Sequence, residues 1–205
     1  MKTTTFFTSK LFAASVAAYL TSTASAAIFT FNSQTLFNNY ATNHGAGVFT
    51  ESFDSYTGGA PTFIGTLGGV NWTASAVGGM YASAGIMSTN ISSATMDFSF
   101  SHGVNGVGGH FFATLWDFTV VPSTVLIGLS DGSGFIGTID TSNQFTGFWS
   151  TGLSITSISI GVADGPAGGD IYASAGSLSF AIVPAPGAIA LIGLAGLVGG
   201  RRRRS

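Results

Sequence analysis

The pentapeptide Gly128-Leu129-Ser130-Asp131-Gly132 fits G-x-S-x-G, the pattern in which a strand, a sharp turn and a helix present a serine for nucleophilic attack. The residues after it, Ser133-Gly134-Phe135-Ile136-Gly137-Thr138-Ile139, read as the second arm of a hairpin, so a Ser-Asp-Gly turn is expected. His44, His102 and His110 could serve a metal or acid–base chemistry. Their spacing offers neither the i, i+4 nor the His-x-His arrangement that puts two nitrogens on one face. The glycine-rich stretch 103–109 reads as a break between His102 and His110, so the three histidines are expected to be unrelated. Hydrolysis of a glycosidic bond needs two facing carboxyl groups. Glu51 is the single glutamate, and in a continuous strand it points away from Asp54. Asp131, Asp164 and Asp170 adjoin Gly or Pro, where aspartate commonly closes turns through its own backbone. A calcium loop over residues 164–170 would need more oxygens than two aspartates supply. Trp72, Trp116 and Trp149 with Tyr56, Tyr81 and Tyr172 are the inventory of either a core or a platform that stacks on sugar rings. No catalytic residue, metal ligand or cofactor is assigned from these patterns.

The elements that would position these residues belong to a chain of 205 residues, 45% apolar and only 7% charged. That composition describes one folded domain and not a disordered chain. The six basic residues are Lys2, Lys10 and Arg201, Arg202, Arg203 and Arg204, so residues 11–200 contain no Lys or Arg, while all eight acids lie there. A body of charge −8 with no cation cannot bind nucleic acid by neutralising phosphates. No cysteine occurs, which removes disulfides, thiol catalysis and thiolate metal sites together.

Both ends read as addresses. Residues 1–26 carry two lysines, an apolar run over 11–20, and the small residues Ala24 and Ala26 at a cleavage position; this is the layout of a secretory signal peptide, read by signal peptidase. At the other end Val183-Pro184-Ala185-Pro186-Gly187 leads into the apolar stretch 188–200 and then Arg201, Arg202, Arg203 and Arg204. Thirteen helical residues would span about 20 Å and nineteen, counted from Ile182, about 28 Å, against roughly 30 Å of hydrocarbon. Four arginines favour the cytoplasmic side, so the stretch reads as a single transmembrane helix that stops transfer with the body outside.

These last residues resemble the PEP-CTERM sorting signal of bacterial exported proteins: a short V-P-x-P element (Val183, Pro184, Pro186), a brief transmembrane helix and an arginine cluster. Ala185 stands where the commonest form has Glu. The resemblance implies an exosortase-type processing enzyme, removal of the tail, and delivery to the cell surface or extracellular matrix. The segment is then a temporary anchor, comparable to lipid-anchor signals whose hydrophobic tail is discarded.

Residues 27–182 remain as the extracellular domain. Strand-period alternation marks 96–100, 157–162 and 177–182, and further strands are expected over 48–53, 70–75, 110–115, 118–121, 124–129, 135–139 and 145–149. Ser33 as cap, with Leu36, Phe37 and Tyr40 on one side, predicts a short helix over 33–41. About ten strands with Gly-Gly, Asp-Gly and Gly-Pro turns predict an all-β fold, a jelly-roll-like β-sandwich. Tyr-Ala-Ser-Ala-Gly occurs twice, at 81–85 and 172–176, which predicts two similar strands of one fold and not a solenoid. The body is also similar to the β-sandwich domains that precede this sorting signal, through Glu51-Ser52-Phe53-Asp54, the Phe98-Ser99-Phe100 strand, residues 145–149 and the closing Leu178-Ser179-Phe180.

The expected function is therefore a non-enzymatic exported surface or matrix protein, a binding or structural module with extracellular polysaccharide as a partner. The rivals are a polysaccharide-acting enzyme and a permanently anchored envelope protein. Intact mass of the exported species separates the last from the first. Processing near Pro184 removes all four arginines and leaves a species that trypsin does not cut; a mature protein that keeps Arg201–Arg204 is a permanent anchor.

Overall fold

The computed structural model describes residues 27–163 and 170–184. The chain runs through β1 (Ile28–Phe31), α1 (Gln34–Asn43), β2 (Gly47–Glu51), β3 (Gly58–Leu67), β4 (Val70–Ser83), β5 (Ile86–Thr89) and β6 (Met96–Val104). It continues through β7 (Gly106–Thr114), β8 (Val120–Val121), β9 (Ser123–Leu129), β10 (Gly134–Ile139), β11 (Phe145–Ser150), β12 (Ile155–Ala163) and β13 (Tyr172–Ile182). The described fold is all-β apart from one short helix, as the strand-period runs predict. The apolar stretch 188–200, the cleavage residues Ala24 and Ala26, and Pro186, Gly187, Arg201, Arg202, Arg203 and Arg204 lie outside the described residues. Among the described residues no helix is long and apolar enough to cross a membrane.

Every pairing is antiparallel. The strand path is β1-β11-β7-β13-β5-β4-β6-β12-β9-β10, with β2 on β13, β3 on β4 and β8 on β7. The sheet curls over itself, because β7 packs near β9 and β12, and β13 near β6 and β12, although none of these pairs shares a ladder. Inside the curl lie Trp72, Phe98, Phe111, Phe148, Phe180 and the aliphatic residues of β9 and β12. Alternation does the sorting: on β6, Met96, Phe98 and Phe100 are buried while Asp97, Ser99 and Ser101 are exposed. That is the period expected of a sheet with one wet face.

The opposite face of β11 is covered too, so that strand is buried throughout. Its cover is α1. Ser33 caps this helix by accepting the Leu36 amide at 3.4 Å, and Phe37 and Ala41, one turn apart, are its buried residues. They join Phe145 and Trp149 of β11 in a second apolar cluster. Glycine makes that approach feasible: a Cβ on Gly106 would stand 2.9 Å from the rings of both Phe37 and Trp149. Much of the glycine in the body is thus there to let aromatic rings lie on backbone.

The same fact corrects one expectation. The break foreseen over residues 103–109 is confined to Asn105, between the end of β6 and the start of β7. Gly106, Gly108 and Gly109 are buried strand residues, present for close packing and not for turning.

An added Cβ at Gly109 would stand 2.2 Å from the Ser177 carbonyl oxygen, whereas one at Gly128 would meet nothing within 4 Å. A backbone oxygen in a ladder cannot swing aside. Gly109→Ala is expected to lower the free energy of urea unfolding by about 1–3 kcal/mol, the usual penalty of overpacking. Gly128→Ala should leave it unchanged or raise it by about 0.4–1 kcal/mol through the unfolded chain. Equal unfolding midpoints for the two variants would contradict this account of the glycines.

Candidate functional site

The two Tyr-Ala-Ser-Ala-Gly copies lie on either side of one short strand. β5 pairs with β4 on one edge and β13 on the other: Met87 sits between Ala82 and Ala175, and Ser88 between Tyr81 and Ser174. The copies are offset by two residues, since the first residue of one is level with the third of the other. Alanine on both sides leaves room for Met87, which is fully buried. The copies end differently. The first turns back through Ala84 (φ 50°) and Gly85 (φ 77°) into β5, and the second continues past a bulge at Gly176.

Tyr81 and Tyr172, the opening residues of the two copies, line one cleft of about 470 Å³. A third wall is the loop from β7 to β8, which contributes Leu115, Trp116 and Phe118. That loop is tightly bonded. Leu115 donates to the Thr119 carbonyl at 2.9 Å, Phe118 donates to the Leu115 carbonyl at 3.1 Å, and the Thr119 amide donates to Asp117 Oδ1 at 3.0 Å. The last bond holds the Asp117 carboxyl below its ordinary pKa. Phe118 takes φ 65°, a left-handed conformation that costs a non-glycine residue about 1–2 kcal/mol. Its ring meets that of Tyr81 at 6.0 Å, and Trp116 at the tip is 82% exposed. An indole in water on a rigid hairpin is a prepared contact surface.

The polar side of the cleft is Ser83, Ser88, Thr89 and Asn90. Ser88 is the outer member of a buried hydroxyl cluster: Ser174 Oγ lies 3.0 Å from Ser88 Oγ and 2.8 Å from Thr114 Oγ1. Thr89 donates to the Ile91 carbonyl at 3.1 Å and Asn90 Nδ2 to the Gly78 carbonyl at 3.3 Å. Among the described residues, no Asp, Glu, His, Lys or Arg lines the cleft. It offers ring faces, hydroxyls and one amide, groups suited to stacking and to neutral hydrogen bonds.

The other residues singled out by type and spacing go elsewhere. The aromatic set divides: Trp116, Tyr81 and Tyr172 line the cleft, while Trp72 and Trp149 are core residues with 0% and 3% exposure. Tyr56 packs against Trp72 and donates to the Ile64 carbonyl at 3.1 Å; burial, then the Glu51 charge, raises its hydroxyl pKa. Ser130 occupies the β9–β10 hairpin, where its Oγ accepts the Thr156 amide at 2.9 Å. Asp131 closes the same turn by accepting from Ser133 N and Oγ at 3.0 and 2.5 Å, which lowers its pKa. Strand–turn–strand is the hairpin that the sequence predicts, and it lacks the helix of a nucleophile elbow.

The histidines are dispersed. His44 stands at the C-cap of α1 and stacks on Tyr40, His102 is exposed on β6 beside Ser101, and His110 on β7 bonds Ser177 Oγ through Nδ1 at 2.7 Å. Glu51 accepts the Phe53 amide and Asp54 accepts the Ser52 hydroxyl, each closing its own local turn. Asp170 accepts from Ser92 at 3.2 Å, and Asp164 lies outside the described residues. Of the sorting residues, Val183 and Pro184 are described and exposed; the Val183 amide donates to Asn105 Oδ1 at 2.8 Å just past the end of β13.

Residue-type reasoning missed Phe118, Leu115 and the polar wall. The duplicated pentapeptide was a signal for Ser83 and for the convergence of the two tyrosines; Phe118, Leu115, Ser88, Thr89 and Asn90 lie outside it. Comparison with family models, curated proteins and solved structures returns no match to this chain.

Burial lowers the His110 pKa from 6.5, so the unfolded chain takes up that proton at a pH where the folded one has not. The stability involved is complete above about pH 6.5 and is lost as pH falls below it. Unfolding free energy measured from pH 7.5 to 5.5 should fall less steeply in His110→Gln than in the parent. Parallel curves would mean that His110 is not the group responsible.

Proposed function

We propose that the chain is an exported cell-surface or matrix protein whose jelly-roll-like β-sandwich body binds extracellular carbohydrate non-covalently. A signal peptide over residues 1–26 delivers it, and a PEP-CTERM-like tail over residues 183–205 holds it in the membrane until an exosortase-type enzyme removes that tail. The sandwich reading is supported by the way the two halves of the sheet, joined through β5, face each other across a continuous apolar core. The sorting reading is supported by the order of residue types in 1–26 and 183–205, and by the last strand, which ends at Ile182 immediately before the exposed Val183 and Pro184.

One observation carries the binding reading: an exposed tryptophan and two repeat-derived tyrosines converge on a cleft whose other wall is hydroxyl and amide. A sugar ring has an apolar C–H face and a rim of hydroxyls, and this cleft has a complement for each. A site for small ligands typically joins apolar walls to a few placed polar groups in just this volume range. Among the described residues no carboxylate is in the lining, which favours binding over glycoside hydrolysis at this site.

Because Trp116 is 82% exposed, removing it should change stability by less than about 0.5 kcal/mol. Binding should suffer much more. Trp116→Ala in the full-length chain is expected to weaken retention on the polysaccharide that surrounds the producing cells about tenfold or more, the scale of an interface anchor. Ile136→Ala, an exposed apolar change far along the strand path on β10, should not. Equal retention of parent and Trp116→Ala would remove the cleft from the function.

A further inference from the structure

We infer that the cleft selects uncharged glycan chains and rejects polyuronates and other anionic polymers. This rests on the carbohydrate reading above and names the class of sugar. Protein sites that hold carboxylate, sulfate or phosphate do so with charged N–H donors, most often Arg or Lys. No Lys or Arg occurs anywhere in residues 11–200, and no histidine lines the cleft. An anionic sugar would therefore lose its hydration and find no cation in return.

The rim adds repulsion. Asp117 adjoins Trp116 in the hairpin tip, and Asp170 stands two residues before Tyr172. A chain carrying one negative charge per sugar is repelled by such carboxylates wherever it comes within the roughly 8 Å screening length of physiological salt. The acids do not make the site cationophilic, since neither lines the cleft and each is engaged locally, Asp117 by the Thr119 amide and Asp170 by the Ser92 hydroxyl.

What the cleft does offer matches an uncharged sugar. Hydroxyls of a pyranose both donate and accept, as do those of Ser83, Ser88 and Thr89. Ser88 is backed by Ser174 and Thr114, both fully buried, and a chain of hydroxyls polarises its outermost member for a partner of either sense. The discrimination is by charge, imposed by the missing cations, and is independent of linkage.

Affinity electrophoresis of the full-length chain in detergent tests this directly, because an acidic protein migrates freely in native gels. Gels are cast with dextran, mixed-linkage β-glucan, galactomannan, alginate or chitosan, at low and at high salt. Retardation by at least one of the three neutral polymers, unchanged by salt, absent with alginate and lost in Trp116→Ala, is the expected result. A preference of about tenfold or more over alginate corresponds to ~1.4 kcal/mol. Retardation by alginate that Trp116→Ala abolishes, or retardation by chitosan alone that is seen only at low salt and is likewise lost in Trp116→Ala, overturns the charge selection and leaves carbohydrate binding standing. No retardation by any polymer, or retardation that Trp116→Ala does not touch, overturns the carbohydrate reading of the cleft itself.

Discussion

A strand of four residues joins the two halves of this sheet. β5 is hydrogen-bonded along both edges, to β4 and to β13, and without it the path would fall into two separate sheets. Its place is secured by side-chain size: Met87 fills the space left by Ala82 and Ala175, and a larger residue at either alanine would push the edges apart. Ser88, next along, finds its polar partners in Ser174 and Thr114, so the seam buries no unsatisfied hydroxyl there. Curl, core and cleft all follow from that seam. Closing the sheet brings β7 and β13 opposite β6 and β12, and the same closure sets Tyr81 and Tyr172 on the two sides of β5.

The chain has to manage its acids without cations. Every described carboxylate that has a partner is satisfied by a nearby hydroxyl or amide: Asp131 by Ser133, Asp117 by Thr119, Asp54 by Ser52, Asp97 by Ser159, Asp170 by Ser92 and Glu51 by the Phe53 amide. Most of these partners are only two residues away. Such bonds shape turns, and at Asp117 and Asp131 they also hold the carboxyl below its ordinary pKa. Of these bonds, Asp97 to Ser159 across the β6–β12 pair and Asp170 to Ser92 reach residues distant in sequence; joining the strands is otherwise left to apolar packing and ladder hydrogen bonds. With neither disulfides nor ion pairs to Lys or Arg within residues 27–184, the fold depends on close packing, and glycine is the means of achieving it at α1, β7 and β11.

Most of the fold was legible because most strands have one wet face. β6 and β12 show alternation in sequence and in burial alike, the alternating run over 177–182 falls in β13, which is largely buried on both faces, and Ser33 announced the helix it caps. β1, β3 and β5 were missed for separate physical reasons. β1 and β5 are four residues long, too short to display a period. β3 holds Gly58, Gly59, Pro61 and Gly65, which weaken a strand by propensity yet suit a pairing that shifts register at Pro61. The cleft was half legible. Residue type could nominate six aromatic side chains but could not divide them, since burial of Trp72 and exposure of Trp116 depend on which loop each strand enters. The duplicated pentapeptide held the missing information, and its meaning emerges only when both copies are seen to flank the same strand.

The cost of the cleft is visible in its backbone. Phe118 is held in a left-handed conformation that its side chain disfavours, and the loop fixes it with three backbone-directed hydrogen bonds. Strain of that kind persists only where surrounding structure over-determines it, and it gathers at places that must present a fixed surface. A flexible loop would let the Trp116 ring fold onto neighbouring apolar surface and hide there. The bonded hairpin prevents this, keeping a large apolar ring in water at a cost in stability that the fold alone does not explain. The exposed ring, the strained residue beside it and the two tyrosines facing it share one geometric cause, the closing of the sheet through β5. That closure lets a body otherwise devoted to packing aromatics inward hold one tryptophan outward.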